Sequence, residues 1–172
     1  MNKFLPIITA IVLTACSSTA TSTQYYQLPD SAFKLPSKHS QTVGINIVLS
    51  EPLKSNSLLY QTDEYTLHFA QKNMWAAPLN EALAATFANK LNRISSLNYL
   101  PKIQTNGSNL TIYLDRFQGT YRGETEISGY VQWSNGTRRA FSVNTPQQGD
   151  GYGAMLDSLN AGLETAAQQI AQ

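Results

Sequence analysis

Residues 110–144, LTIYLDRFQGTYRGETEISGYVQWSNGTRRAFSVN, decide the fold. Leu110, Ile112 and Leu114 alternate with Thr111, Tyr113 and Asp115, the pattern of a strand with one buried face, and it continues toward Phe117. Glu126 to Ser134 repeats the pattern, with Ile127, Val131 and Trp133 on one face. Asn135-Gly136 follows. Both residues tolerate positive φ, which makes the pair the strongest short hairpin signal. Arg138 to Asn144 then returns as the partner strand. A meander with one apolar face needs a covering layer.

Two helices supply the cover. Behind Pro78, Leu79, Leu83, Phe87, Leu91 and Ile94 recur at helical spacing. Proline suits the first helical turn, where its missing N–H costs nothing. Leu156, Leu159, Leu163, Ala167 and Ile170 mark a second helix, with Asp150 placed to cap it. Toward the N-terminus, Gln24 to Leu28 reads as a strand stopped by Pro29. Val43, Ile45, Ile47 and Leu49 form one side of another strand, stopped by Glu51-Pro52. Leu58–Tyr60 and Tyr65–Ala70 form a hairpin around Thr62-Asp63-Glu64. The order β-β-β-β-α-β-β-β-α predicts an α+β fold. It is a two-layer sandwich of a largely antiparallel sheet with two amphipathic helices packed on it. One domain spans residues 24–172, with no internal repeat.

The chain begins differently. Met1-Asn2-Lys3 is a short positive start, and Phe4 to Leu13 is apolar apart from Pro6 and Thr9. This is the order of a secretory signal peptide, and the run falls short of the about 20 residues a spanning helix needs. Leu13-Thr14-Ala15-Cys16 ends it and resembles the bacterial lipobox, in which the cysteine thiol is alkylated with diacylglycerol. The reading is a signal peptide over 1–15 and a lipidated N-terminus with a flexible small-polar tether over 16–23. Cys16 is the only cysteine, so no internal disulfide forms. Two or more acyl chains hold a protein stably on a bilayer. Ser17 after the cysteine resembles the outer-membrane sorting default.

Composition removes several functions. The 172 residues carry 12 basic and 11 acidic side chains, and losing Lys3 with the leader leaves them balanced. Without a basic field, nucleic acid is a poor partner. Charged residues are 13%, against about 25% in ordinary domains. His39 and His68 lie in different elements with no ligand spacing around them, so no metal site is expected. No Gly-x-Ser-x-Gly elbow is present, and no catalytic residue or cofactor is assigned. Glu124 with Glu126, and Asp63 with Glu64, read as a solvated strand end and a turn. Gly149-Asp150-Gly151-Tyr152-Gly153-Ala154 fits a degenerate dinucleotide fingerprint, but only one helix follows, so it reads as a flexible helix start. Trp75, Tyr121 and Tyr152 sit near element ends. Each is either a core or staple residue or an aromatic anchor for a protein partner.

Several segments together resemble one family. Leu59-Tyr60-Gln61-Thr62, Asn73-Met74-Trp75-Ala76-Ala77-Pro78-Leu79, Phe117-Gln118-Gly119-Thr120-Tyr121-Arg122-Gly123, Ser128-Gly129, and Asp150-Gly151-Tyr152 with Met155 are similar, in order, to the PqiC (YmbA) family of transport auxiliary lipoproteins. The resemblance implies an outer-membrane, periplasm-facing lipoprotein of an intermembrane lipid-transport system. Its companions would be an integral inner-membrane protein and a periplasm-spanning MCE-domain tunnel protein, which it receives or docks. A ring-like homo-oligomer would suit a tunnel end. The alternatives are a general envelope assembly lipoprotein and, further off, a lipid-anchored hydrolase.

Overall fold

The structure is a computed structural model, and it describes residues 22–37, 40–104 and 106–172. The signal peptide, Cys16, most of the tether and His39 lie outside the described residues.

The elements are β1 (Gln24–Tyr26), β2 (Thr42–Leu49), a 3₁₀ turn (Glu51–Lys54), β3 (Ser57–Gln61), β4 (Leu67–Trp75), α1 (Leu79–Ile94), β5 (Asn98–Leu100), β6 (Ser108–Gly119), β7 (Glu124–Trp133), β8 (Arg138–Pro146) and α2 (Gly151–Ala171). The α+β architecture is the one the sequence predicts: one sheet and two helices. The sheet is mixed. Its antiparallel part is the β3–β4 hairpin and the β6–β7–β8 meander. Parallel ladders join β1 to β4, β2 to β5, β2 to β6 and, through the single pair Tyr60–Gly119, β3 to β6.

Register explains the core. Ile45, Ile47 and Leu49 stand beside Leu110, Ile112 and Leu114, and Ile112 stands beside Val131. All of these point to the helix side, because strand neighbours in register share a face. There they meet Leu83, Phe87 and Leu91 of α1 and Leu159, Leu163 and Ala167 of α2. Fully burying one such side chain contributes about 1.5–3 kcal/mol. Ile94, the last residue of the first apolar stripe, is exposed. On the other face of the sheet, Tyr113 and Tyr130 stack at 4.4 Å with their rings 9° apart.

Four local details differ from the sequence reading. Pro78 lies one residue before α1 rather than within its first turn, and its carbonyl accepts from the N–H groups of Glu81 and Ala82. Asp150 makes no side-chain capping bond. The chain instead turns into α2 through Gly149 and Gly151, while the Gln147 amide donates to the Gly149 carbonyl at 2.8 Å. β4 runs five residues past Ala70 through a register shift. The additional strand β5 is fixed by Asn92 of α1. Its side chain accepts from the Tyr99 N–H at 2.7 Å and donates to the Tyr99 carbonyl at 2.9 Å.

Polar side chains also clamp the segment after β1. Asn89 is nearly buried on α1. It donates to the Asp30 and Ala32 carbonyls and accepts from the Lys34 N–H. A backbone that leaves the sheet must find partners for its amide groups, and one amide side chain satisfies three of them here.

Candidate functional site

β3 and β6 run the same way where Tyr60 pairs with Gly119, so their following turns lie at one end of the sheet. α2 begins at that end. There a cavity of about 320 Å³ is lined by Tyr60, Gly119, Thr120, Tyr152 and Met155. Gly119 admits the close approach of α2: a Cβ there would lie 2.7 Å from the Met155 sulfur.

The cavity is bordered by an aromatic group. The Tyr152 ring is 6.3 Å from Tyr26 and 6.1 Å from Tyr60, the latter nearly edge-on. Tyr60 in turn stacks on His68 at 5.3 Å. Edge-on and offset rings at these separations attract beyond the area they bury. Polar atoms pin the group: the Tyr26 hydroxyl donates to Asn73 Oδ1 at 3.0 Å, and His68 Nε2 lies 3.0 Å from the Thr62 hydroxyl. Burial, assisted by the neighbouring Tyr60, pushes the Tyr152 hydroxyl above its ordinary titration range, so it stays a neutral hydrogen-bonding group.

The three aromatic candidates have distinct settings. Tyr152 is in the group just described, half-buried at the start of α2. Trp75 is buried, its ring 5.8 Å from Phe117 and its backbone N–H donating to the Asn56 carbonyl. It also borders a second cavity of about 410 Å³, with Tyr26, Leu28, Ala76 and Glu81. Tyr26 thus stands between Trp75 and Tyr152. Tyr121 is 43% exposed on the β6–β7 turn, with the Arg122 guanidinium 5.2 Å from its ring centre.

Tyr60 and His68 are site members that sequence reasoning does not bring together. Tyr60 and His68 are opposite each other across the β3–β4 ladder, a register that the Thr62-Asp63-Glu64 turn fixes. That register was the available signal.

The carboxylates keep structural partners. Glu124 accepts from Asn144, and Glu126 pairs with Arg116 at 3.3 Å. Asp63 Oδ1 accepts from the N–H groups of Tyr65 and Thr66, each at 2.8 Å. Those bonds hold its carboxyl below the usual range. Among the described residues no cluster of three metal-ligating side chains occurs. No helix among them is long and apolar enough to cross a membrane.

The sequence and fold match known proteins along their length. The chain is 29% identical to the intermembrane transport lipoprotein PqiC of Escherichia coli (strain K12) over 184 aligned positions, covering 100% of this chain and 97% of that protein. PqiC of Shigella flexneri gives the same values. The crystal structure of an uncharacterized protein superposes with a TM-score of 0.69 at 25% identity, covering 87% of this chain and 97% of that one. A Xanthomonas campestris protein superposes at 0.66 and 15% identity, covering 87% and 90%, which speaks for the fold alone. Residues 26–171, from the aromatic group to the last turn of α2, match the model of one family. The chain belongs to that family, the ABC-type transport auxiliary lipoprotein component family.

Proposed function

We propose that this protein is an outer-membrane lipoprotein subunit of an intermembrane lipid-transport system, where it holds the end of a periplasm-spanning MCE-domain protein. The observation that carries the reading is the full-length match to PqiC, which takes in the leader and Cys16 as well as the folded part. In this reading, acylated Cys16 sets the location and residues 16–23 give slack. Tyr26 lies ten residues beyond Cys16, so the chain holds the aromatic group within about 35 Å of the acylated residue.

The cavity beside Tyr26, Tyr60 and Tyr152 is the surface we assign to the partner. Its rings are preoriented, so little side-chain freedom is lost when a partner side chain enters. The balanced charge of the mature chain gives little long-range steering, and aromatic anchoring supplies the binding energy instead. The role uses no catalytic residue and no cofactor.

Affinity capture of the tethered protein from detergent-extracted envelopes tests the proposal. Recovery of an MCE-domain protein is the expected result. Envelopes that contain such a protein but release none of it with the bait would overturn the reading.

A further inference from the structure

The path of the chain into the domain shows toward which end of the sheet its N-terminal segment leads. β1 runs parallel to β4, with Gln24 beside Asn73 and Tyr26 beside Trp75. β4 starts at Leu67, immediately after the β3–β4 turn. The chain preceding Gln24 therefore leaves the sheet heading toward that turn. Asn73 lies about 20 Å along β4 from Leu67 at the usual rise. The eight residues 16–23 reach at most about 28 Å. The tether is thus long enough to bring Cys16 level with the turn and only slightly past it.

The β6–β7 turn stands at the same end, because β6 runs alongside β3 at Tyr60–Gly119. Each turn presents a tyrosine on a fixed backbone. Tyr65 is 89% exposed on the turn that the Asp63 carboxylate ties down. Tyr121 is held by the Thr120 N–H to Glu124 carbonyl bond and by Arg122, which donates to its hydroxyl at 3.0 Å. The two tips share a groove of about 380 Å³ that also carries Glu64, Arg116, Arg122 and Glu124. Among the described residues, the exposed large aromatics are Tyr25, Tyr65, Phe69 and Tyr121. They sit on β1, on β4 and on these two tips. The far turn, residues 134–137 between β7 and β8, has none.

We infer that the Tyr65 and Tyr121 tips form a second membrane contact, seating the domain tips-down in the headgroup layer of a zwitterionic bilayer. This rests on the lipid-anchored reading of Cys16. Tyrosine favours the depth at which its ring meets acyl chains and its hydroxyl meets water. The tips carry both signs of charge, so they suit phosphoethanolamine or phosphocholine headgroups, which also carry both. They lack the basic cluster that recruits anionic lipid. The contact converts a loosely tethered body into an oriented one, with the Tyr152 cavity, which lies at the same end, held beside the bilayer surface where the proposed partner's end would meet it.

The test uses the full lipidated chain in phosphatidylcholine–phosphatidylethanolamine vesicles containing a lipid with a nitroxide on its headgroup. In the lipidated protein the Cys16 sulfur is alkylated, so a fluorophore attaches at an introduced thiol, either Glu64→Cys on a tip or Thr137→Cys at the far end. The tip label should be quenched about twofold or more over the far label. The double variant Tyr65→Ser/Tyr121→Ser should abolish that difference while the protein still floats with the vesicles. Equal quenching of both labels on a protein that floats would overturn the orientation and leave the anchor standing. Quenching that appears only after anionic lipid is added would also overturn it. Protein that does not float would sink the anchor and this inference together.

Discussion

The Lys90 ammonium, on a residue with no solvent exposure, sits 3.0 Å from the Asp30 carboxylate and 2.7 Å from Glu164. Asn160 accepts from it at 3.2 Å. Arg93 reaches the same two carboxylates from the outside. One buried cation thereby links the segment after β1, α1 and α2. Removing one partner from such a cluster typically costs about 3–5 kcal/mol because the remaining charge is left uncompensated; apolar replacement is near neutral only when the whole set is exchanged. Asp30 and Glu164 retain Arg93 and some solvent, so Lys90→Met should cost about 3 kcal/mol, and Lys90→Ala about 1–2 kcal/mol more for the lost packing of the stem. Urea unfolding of the two variants checks the order. Equal losses would mean that the charge itself is what matters.

Acid should loosen the same cluster. The hydrogen bond from Arg93, together with Lys90 and against the cost of burial, holds the Asp30 carboxyl below its ordinary 3.8. A carboxyl depressed in the fold contributes stability that is complete above its unfolded value and is lost as pH falls through its folded value. Melting temperature should therefore fall below about pH 4 more steeply in the parent than in Asp30→Asn. Parallel slopes in the two proteins from pH 5 to pH 2 would contradict this.

Gly129 lies where a side chain has no room. An added Cβ would overlap the Tyr113 carbonyl oxygen, far inside van der Waals contact distance, beside the register shift between Leu114 and Arg116. Backbone on a central strand has little freedom to retreat. Gly129→Ala should destabilise the domain by about 2–3 kcal/mol, measured by thermal or urea unfolding.

Partner capture should depend on the Tyr152 ring more than on its hydroxyl. Tyr152→Ala should weaken binding to the captured protein by about 2 kcal/mol, roughly thirtyfold in Kd. Tyr152→Phe keeps the contacts to Tyr26 and Tyr60 and should stay near the parent value. Circular dichroism of both variants separates lost binding from lost folding.

Cys16→Ser should leave a precursor that retains its leader and fractionates with the inner membrane. Intact-mass spectrometry and membrane fractionation give the answer. A serine variant that is cut and still reaches the outer membrane would remove the basis for a lipid anchor.

Much of the fold could be read from local pattern. The β6–β7–β8 meander announced itself through alternation and Asn135-Gly136, where the Gly136 N–H does donate to the Trp133 carbonyl at 2.9 Å. Both apolar helical stripes face the core, apart from Ile94. Alternation tells which face a strand buries and says nothing about its neighbour. That is why the parallel placements of β1 beside β4 and β2 beside β6 were not legible. β5 is three residues long and owes its place to Asn92, a polar helix residue that a sequence alone presents as solvent-facing. The same applies to Asn89 and Lys90. At the site, Tyr152 and Trp75 stood out as aromatics near helix starts. Their relation through Tyr26 depends on the parallel β1–β4 ladder, and so it appeared only with the tertiary structure.

The direction of β1 has a mechanical consequence. A pull on the chain ahead of Gln24 acts along the axis it shares with β4, so the ladder from Gln24 to Tyr26 is loaded in shear. Its bonds bear force together, where a perpendicular pull would unzip them singly. Behind it, Asn89 grips the backbone from residue 30 to residue 34. In the proposed role, a tug transmitted along that segment would be shared by the ladder and the Asn89 clamp before it reached the core.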